Sequence, residues 1–340
     1  MFFAKLLCKH TSRILKVNYT IIAKKFSHMK TLKLHYPVHT LNGKEIFAAG
    51  SVLTHETIQE ARKTYPPTPA TAQSLLKHRS VLNDLQDMIG QPPYNTVYSN
   101  KEDRSAVLTL MERSQVQPVV LDSLDYFHRY DINTYRHALM VFALSLLLTR
   151  HLTLPRRDLE QEILSAGPTH DIGKTCVPIA ILRKSTPLTV NERRHLEHHT
   201  AAGFALLAWD NGDPHAPAPQ IARDHHERSN GTGYPEGKRL NNILVEIIAA
   251  CDIYDALISP RPYRSSSFDN RTALEELTDL AQKNCLNSKV LQTLIALNRC
   301  NRPRVDDCVI SLEKRGTPPA DNNYGITIDE TAPVSPLQKK

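Results

Sequence analysis

Residues 137–147 run His137-Ala138-Leu139-Met140-Val141-Phe142-Ala143-Leu144-Ser145-Leu146-Leu147. Leu139, Phe142, Ala143, Leu146 and Leu147 recur at helical spacing, so a histidine and an apolar stripe share one predicted helix. The pattern continues through Leu159, Ile163 and Ala166, and Glu192–Ala208, Ile243–Ile258 and Thr272–Gln282 read as further helices. Strand-like alternation is scarce between Ser105 and Asn298, so this half is expected to be mainly α, a helical bundle. Pro168 lacks an N–H and should kink or restart the helix that precedes His170.

Upstream the pattern changes. Asn42-Gly43 lies between short apolar runs, a hairpin signal because glycine accepts the positive φ such turns need. Thr54 is placed to cap a helix reaching about Lys63. A proline-rich break at Tyr65–Pro69 follows, then a helix-like stretch from about Thr71 to Ile89. The predicted organisation is a basic apolar extension over 1–29 and a small α/β regulatory or docking module over 30–104. A helical catalytic domain would span 105–300, followed by a polar, proline-dotted tail, 301–340, expected to be disordered.

The net charge of +7 is local. Residues 1–40 hold eight Lys/Arg and no acid, leaving 34 basic against 35 acidic side chains elsewhere. The body therefore lacks the charge of a nucleic-acid binder. No N-terminal stretch approaches the roughly 20 apolar residues of a membrane span, and interspersed Lys, Arg and His argue against a signal peptide. The segment reads as an extension rather than a membrane-surface helix, with Met29 as an alternative start. Six cysteines without a C-x-x-C pair suit a reducing, cytoplasmic setting.

Sixteen histidines are present, and many stand beside carboxylates. In order come His137, His170-Asp171, His198-His199, His225-His226 and Asp252, separated by 26 to 33 residues. Each gap suits one helix and its connection, so successive helices could turn ligands into a common interior. Imidazole nitrogen with carboxylate oxygen suits manganese, iron, zinc or a similar ion. A carboxylate next to a histidine can bridge two ions, and such a pair acidifies a water that attacks phosphorus.

These residues sit within His170-Asp171-Ile172-Gly173-Lys174, His225-His226-Glu227, Asn230-Gly231-Thr232-Gly233-Tyr234-Pro235, Asp252-Ile253-Tyr254-Asp255-Ala256-Leu257 and Arg261-Pro262-Tyr263-Arg264. Together, over about residues 125–298, they resemble the HD-GYP family, a branch of the HD-domain phosphohydrolases. The resemblance implies a helical domain binding two or three divalent ions, commonly iron or manganese, that hydrolyses cyclic di-GMP in second-messenger signalling. His137, His170, Asp171 and Asp252 would be the ligands shared with other HD enzymes. His199, His225 and His226 would hold a second ion, with Asp171 bridging and catalytically central. His198 competes with His199, which is preferred because Thr200 follows it; His195 and His198 are then expected to be exposed.

Lys174 would offer its ammonium to a substrate phosphate. Arg261 and Arg264 would either grip the second phosphate or serve in structural ion pairs. Gly233, Tyr234 and Pro235 would border the substrate and meet a GGDEF-domain cyclase, or simply hold the His-His-Glu segment. Two departures stand out: Met140 replaces the family's arginine three residues after the first histidine, and Ala166–Thr169 replaces an aliphatic run. In the family a third ion accompanies a glutamate one turn before the first histidine, where this chain has Asn133; two ions and a linear dinucleotide product are therefore expected. Cyclic GMP-AMP is the rival substrate, and a silent module that binds the dinucleotide or docks a cyclase is the rival function.

Overall fold

The computed structural model describes residues 32–69, 71–152, 158–323 and 325–329. The extension over 1–29 and the Met29 question lie outside them. Strands β1 (Leu32–Lys33), β2 (Val38–His39), β3 (Glu45–Phe47) and β4 (Val52–Leu53) form two antiparallel pairs, β1 with β4 and β2 with β3. Gly43, at φ +82°, turns the second pair. Helix α1 (His55–Thr64) starts where Thr54 accepts from the Thr57 N–H while the Thr57 hydroxyl accepts from the Thr54 N–H.

The chain continues through β5 (Gln73–Ser74), α2 (Val81–Gly90), α3 (Lys101–Arg113), β6 (Gln115–Val116) and α4 (Pro118–Tyr130) to α5 (Ile132–His151). On α5 every side chain from His137 to Leu148 is buried. A helix apolar all round belongs at the centre, and α4 and α11 (below) pack against it. Around it stand α6 (Leu159–Ala166), α7 (Ile179–Leu182), β7 (Leu188–Thr189), α8 (Val190–Glu197), α9 (His199–Asn211) and α10 (Pro217–Asp224). The last elements are α11 (Ile243–Ile258), α12 (Asn270–Gln282), α13 (Ser288–Asn298) and β8 (Thr327–Ile328). None of the described helices is long and apolar enough to cross a membrane.

Two expectations need correction. Packing does not divide at residue 104: Leu75, Leu85, Tyr98 and Met111 belong to the same core as α5. Only the first part of the expected module, with Leu34, Phe47 and Ile58, forms a separate apolar cluster, and it closes against Ala201, Phe204, Ala205 and Trp209 of α9. Arg62 donates to the Trp209 and Asp210 carbonyls at 2.5 and 2.6 Å, at the C-terminal end of α9 where a cation is favoured. The described part of the tail, to residue 329, is not free either. Val305 and Cys308 enter the core, and β8 pairs in parallel with β7. The composition misleads because two buried apolar side chains and backbone pairing hold this segment without a continuous apolar face.

Candidate metal centre

The seven sequence-predicted ligands meet in one place, brought there by five local features of the chain. His137 lies in the second turn of α5. Gly167, at φ +64°, and Pro168 end α6, and the following turn presents His170 and Asp171 ahead of a short 3-10 helix, Ile172–Cys176. His199 begins α9, His225 and His226 directly follow α10, and Asp252 projects from α11. His137, His170, Asp171, His199, His225 and Asp252 are all buried.

Their donor atoms form two triads, His137–His170–Asp171 and His199–His225–His226, each with its ligand atoms within 4.8 Å of one another. The Asp171 carboxylate stands between them. Its Oδ2 is 3.5 Å from His137 Nε2 and 3.4 Å from His170 Nε2. Its Oδ1 is 3.4 Å from His199 Nε2 and 3.8 Å from His225 Nε2. Asp252 Oδ1 completes the first side, 2.9 Å from His137 Nε2. His198 belongs to neither triad; it is buried, not exposed, because the helix breaks beside it and Tyr36 of the N-terminal unit covers it edge-on. Tyr36 also stacks on His195, with ring centroids 3.8 Å apart.

The outer ring nitrogens are already engaged, which fixes the tautomers. His199 Nδ1–H donates to the Leu196 carbonyl at 2.6 Å, and His225 Nδ1–H to the Ile221 and Ala222 carbonyls at 3.1 Å. Their Nε2 lone pairs are therefore turned inward, as metal ligation requires. Burial pushes the His199 pKa down to about 4 and that of His225 to about 3, and pushes His226 well below its usual value. Burial would raise Asp171, but Lys174 and His170 hold it well below the carboxylate range; Asp252 is held down likewise, chiefly by His137. Neutral imidazoles with ionised carboxylates are the forms that bind cations. His137 alone moves up: burial and Arg261 oppose its proton, but Asp252 and Asp255 outweigh them.

Asp255 is the functional residue that sequence reasoning missed. Fully buried, it accepts from His137 Nδ1 at 2.6 Å, Tyr94 Oη at 2.5 Å and Ser259 Oγ at 2.9 Å. Its place three residues after Asp252, on the same face of α11, was the available signal. Arg261 Nη2 lies 3.4 Å from the same carboxylate and 2.9 Å from His137 Nδ1. Arg264 donates to the Ala256, Leu257 and Ser259 carbonyls, closing the C-terminal end of α11. Both arginines border the cleft, yet these groups face the protein.

Lys174 reaches Asp171 Oδ2 at 2.6 Å and is partly exposed at the cleft. Beneath it, a Cβ on Gly173 would lie 1.9 Å from the His199 carbonyl and 2.4 Å from the Gly203 nitrogen. Backbone therefore meets backbone where the two halves of the site join. The Gly-Tyr-Pro loop is organised by buried Glu227, which accepts from the Glu236 N–H at 2.8 Å and the Lys238 N–H at 3.1 Å. Gly233 must lack a side chain, since a Cβ would come 2.3 Å from the His226 carbonyl. Tyr234 stacks on His226 with centroids 4.5 Å apart. The centre opens into a cleft of about 400 Å³ bordered by Lys174, Lys184, Arg193, Arg228 and Arg261. Asn133 borders it too, and so does Asp131, which precedes α5 and so escapes the opposite-side placement a regular helix would give it.

Residues 108–289, more than half of the chain, match the model of the HD domain. The chain belongs to the HD-domain family, in its HD-GYP branch. This HD-GYP chain is 33% identical over 183 residues to a cyclic di-GMP phosphodiesterase of Thermotoga maritima, covering 53% of this chain and 49% of that one. It is 40% identical over 149 residues to a cyclic di-GMP phosphodiesterase of Pseudomonas aeruginosa, covering 43% and 36%. A 3'3'-cGAMP-specific phosphodiesterase of Vibrio cholerae is 34% identical over 123 residues, covering 36% and 23%. The chain thus spans about half or less of the length of the curated relatives it matches.

Proposed function

We propose that this chain is a metal-dependent phosphodiesterase that opens cyclic di-GMP, or the mixed cyclic GMP-AMP, to the linear dinucleotide in the cytoplasm. The observation that carries the reading is the Asp171 carboxylate, with one oxygen toward His137 and His170 and the other toward His199 and His225. The donor set fits two divalent ions such as manganese, iron or zinc, of which the family resemblance favours iron or manganese. When bound, such ions supply Lewis acidity and a water acidified toward neutral pH.

The chain's own part is to hold and to neutralise. His137, His170 and Asp252 would retain one ion, and His199, His225 and His226 the other. Lys174 would turn its ammonium to a phosphate oxygen, and the cationic rim would draw in the dianionic substrate. Gly233, Tyr234 and Pro235 would bound the substrate beside His226. Arg261 supports the site through Asp255 and His137, and Arg264 through the end of α11, while Lys184, Arg193 and Arg228, held by Glu192, Glu197 and the His225 and Glu227 carbonyls, would complete the cationic rim toward the second phosphate. A GGDEF-domain cyclase remains the proposed partner for the loop surface.

The test is turnover of metal-loaded protein on cyclic di-GMP and cyclic GMP-AMP in parallel, with metal analysis and chromatography over time. Two ions per chain and accumulation of linear dinucleotide are expected. Absence of turnover on both substrates with a filled site would leave the silent binding module as the reading.

A further inference from the structure

The family match ends at residue 289, yet the chain returns to the cleft well beyond it. After Gly316, whose N–H donates to Glu275 on α12, the chain crosses to the cleft mouth. There the Asn323 N–H donates to the Tyr263 carbonyl at 3.1 Å, and Asn323 Nδ2 to the Ser185 carbonyl at 3.0 Å. Arg193 Nη1 donates to the Gly325 carbonyl at 3.1 Å, and β8 lies along β7. One segment is thereby fastened to both banks of the cleft, the loop after α11 and the stretch before α8.

We propose that residues 321–323 and 325–329 form the outer jaw of a nucleobase subsite, a specificity element that this chain adds to its family's metal centre. The inference rests on the function proposed above. Three observations carry it. The segment runs along the cleft wall without filling the space, because the cavity of about 400 Å³ stays open with it in place. It contributes no lysine or arginine, so it does not serve the phosphates, whose cationic partners lie on the body of the cleft. What it does present, Asn322, Asn323, Gly325, Ile326 and Thr327, borders the same cavity as Leu182, Leu188, Leu196 and Ile253. A slot with apolar walls and a few peptide and amide groups at its edge suits the faces and polar rim of a purine. Ile326 is 49% exposed, so apolar surface remains for a ligand to cover.

The experiment compares the full chain with a truncation after Ala320, and with Ile326→Ser in case truncation disturbs folding. Binding of a non-hydrolysable phosphorothioate cyclic dinucleotide is measured by calorimetry. Hydrolysis of bis(p-nitrophenyl) phosphate, which has no nucleobase, reports on the metal centre separately. Dissociation constants are expected to rise about tenfold, equivalent to about 1.4 kcal/mol, with hydrolysis of the small diester unchanged. Unchanged dinucleotide binding overturns the jaw. Tighter binding also overturns it and makes the segment an obstacle instead. A full chain that binds no cyclic dinucleotide but cleaves the small diester overturns both the jaw and the substrate reading.

Discussion

Asp255→Asn tests whether the metal centre is built outward from its buried supports. Three donors and a guanidinium converge on this carboxylate: Tyr94 Oη, Ser259 Oγ, His137 Nδ1 and Arg261. An amide offers one oxygen in place of two and no charge. His137 would have to compete with Tyr94 and Ser259 for that single oxygen, and weakening such an orienting partner typically costs 10–100-fold in metal affinity, or about 1.4–2.7 kcal/mol. Separately, Arg261 would be left buried without its counter-charge, which destabilises by roughly 3–5 kcal/mol. Metal competition with a fluorescent chelator measures the first effect, and urea unfolding of the metal-free protein the second. Tyr94→Phe removes one hydrogen bond and should cost only about 1 kcal/mol of stability, with metals retained. Should Asp255→Asn bind both ions as tightly as the parent, the support role assigned to Asp255 is wrong.

Asp171→Ala is expected to empty the centre and abolish hydrolysis while circular dichroism stays helical; full metal content with activity would refute the bridging role. Lys174→Ala should keep its metals but turn over roughly 10–150-fold more slowly, the kinetic equivalent of a lost charged contact of ~1.5–3 kcal/mol; loss of metal would refute this. Gly173→Ala forces backbone apart and should destabilise by roughly 3 kcal/mol, read as a lowered urea midpoint, with an unchanged midpoint as the contrary result. Stability of the metal-free protein should fall as pH drops from 6.5 toward 4. In that window the unfolded state protonates His199 and His225, whereas the native state, with pKa values near 4 and 3, does not. His137, raised above its usual value, works the other way: its stabilisation is complete below pH 6.5 and is lost as pH rises above it. Urea midpoints at pH 7, 5.5 and 4.5 check the lower window; no decline between them would contradict the burial of neutral imidazoles.

The bundle and the gathering of these histidines and aspartates were legible because both depend on short-range signals. Helical spacing after His137 reports a buried face, and His-Asp or His-His pairs report chemistry. What spacing does not report is the partner. Leu34 and Ile58 announce burial but not that α9 covers them, and Leu85 looks the same whether its core lies in a separate module or under α5. His198 was misjudged because the helix reading ran unbroken from Glu192, whereas α8 ends at Glu197 and a new helix begins at His199. The returning C-terminal segment carries only a brief apolar alternation, Ile326 and Ile328. Hydrogen bonds from its backbone leave almost no trace in residue identity.

The seating of the N-terminal unit on α9 also sets an order of events during synthesis. Tyr65 and Trp209, joined by the indole N–H donating to the Tyr65 carbonyl, are 144 residues apart. At 5–20 residues per second the ribosome needs roughly 7 to 30 s to supply that partner. For that interval Leu34, Phe47 and Ile58 have no α9 to cover them, and a newborn chain carries an uncovered apolar face. Protection from aggregation is therefore needed before His225, His226 and Asp252 have even been made.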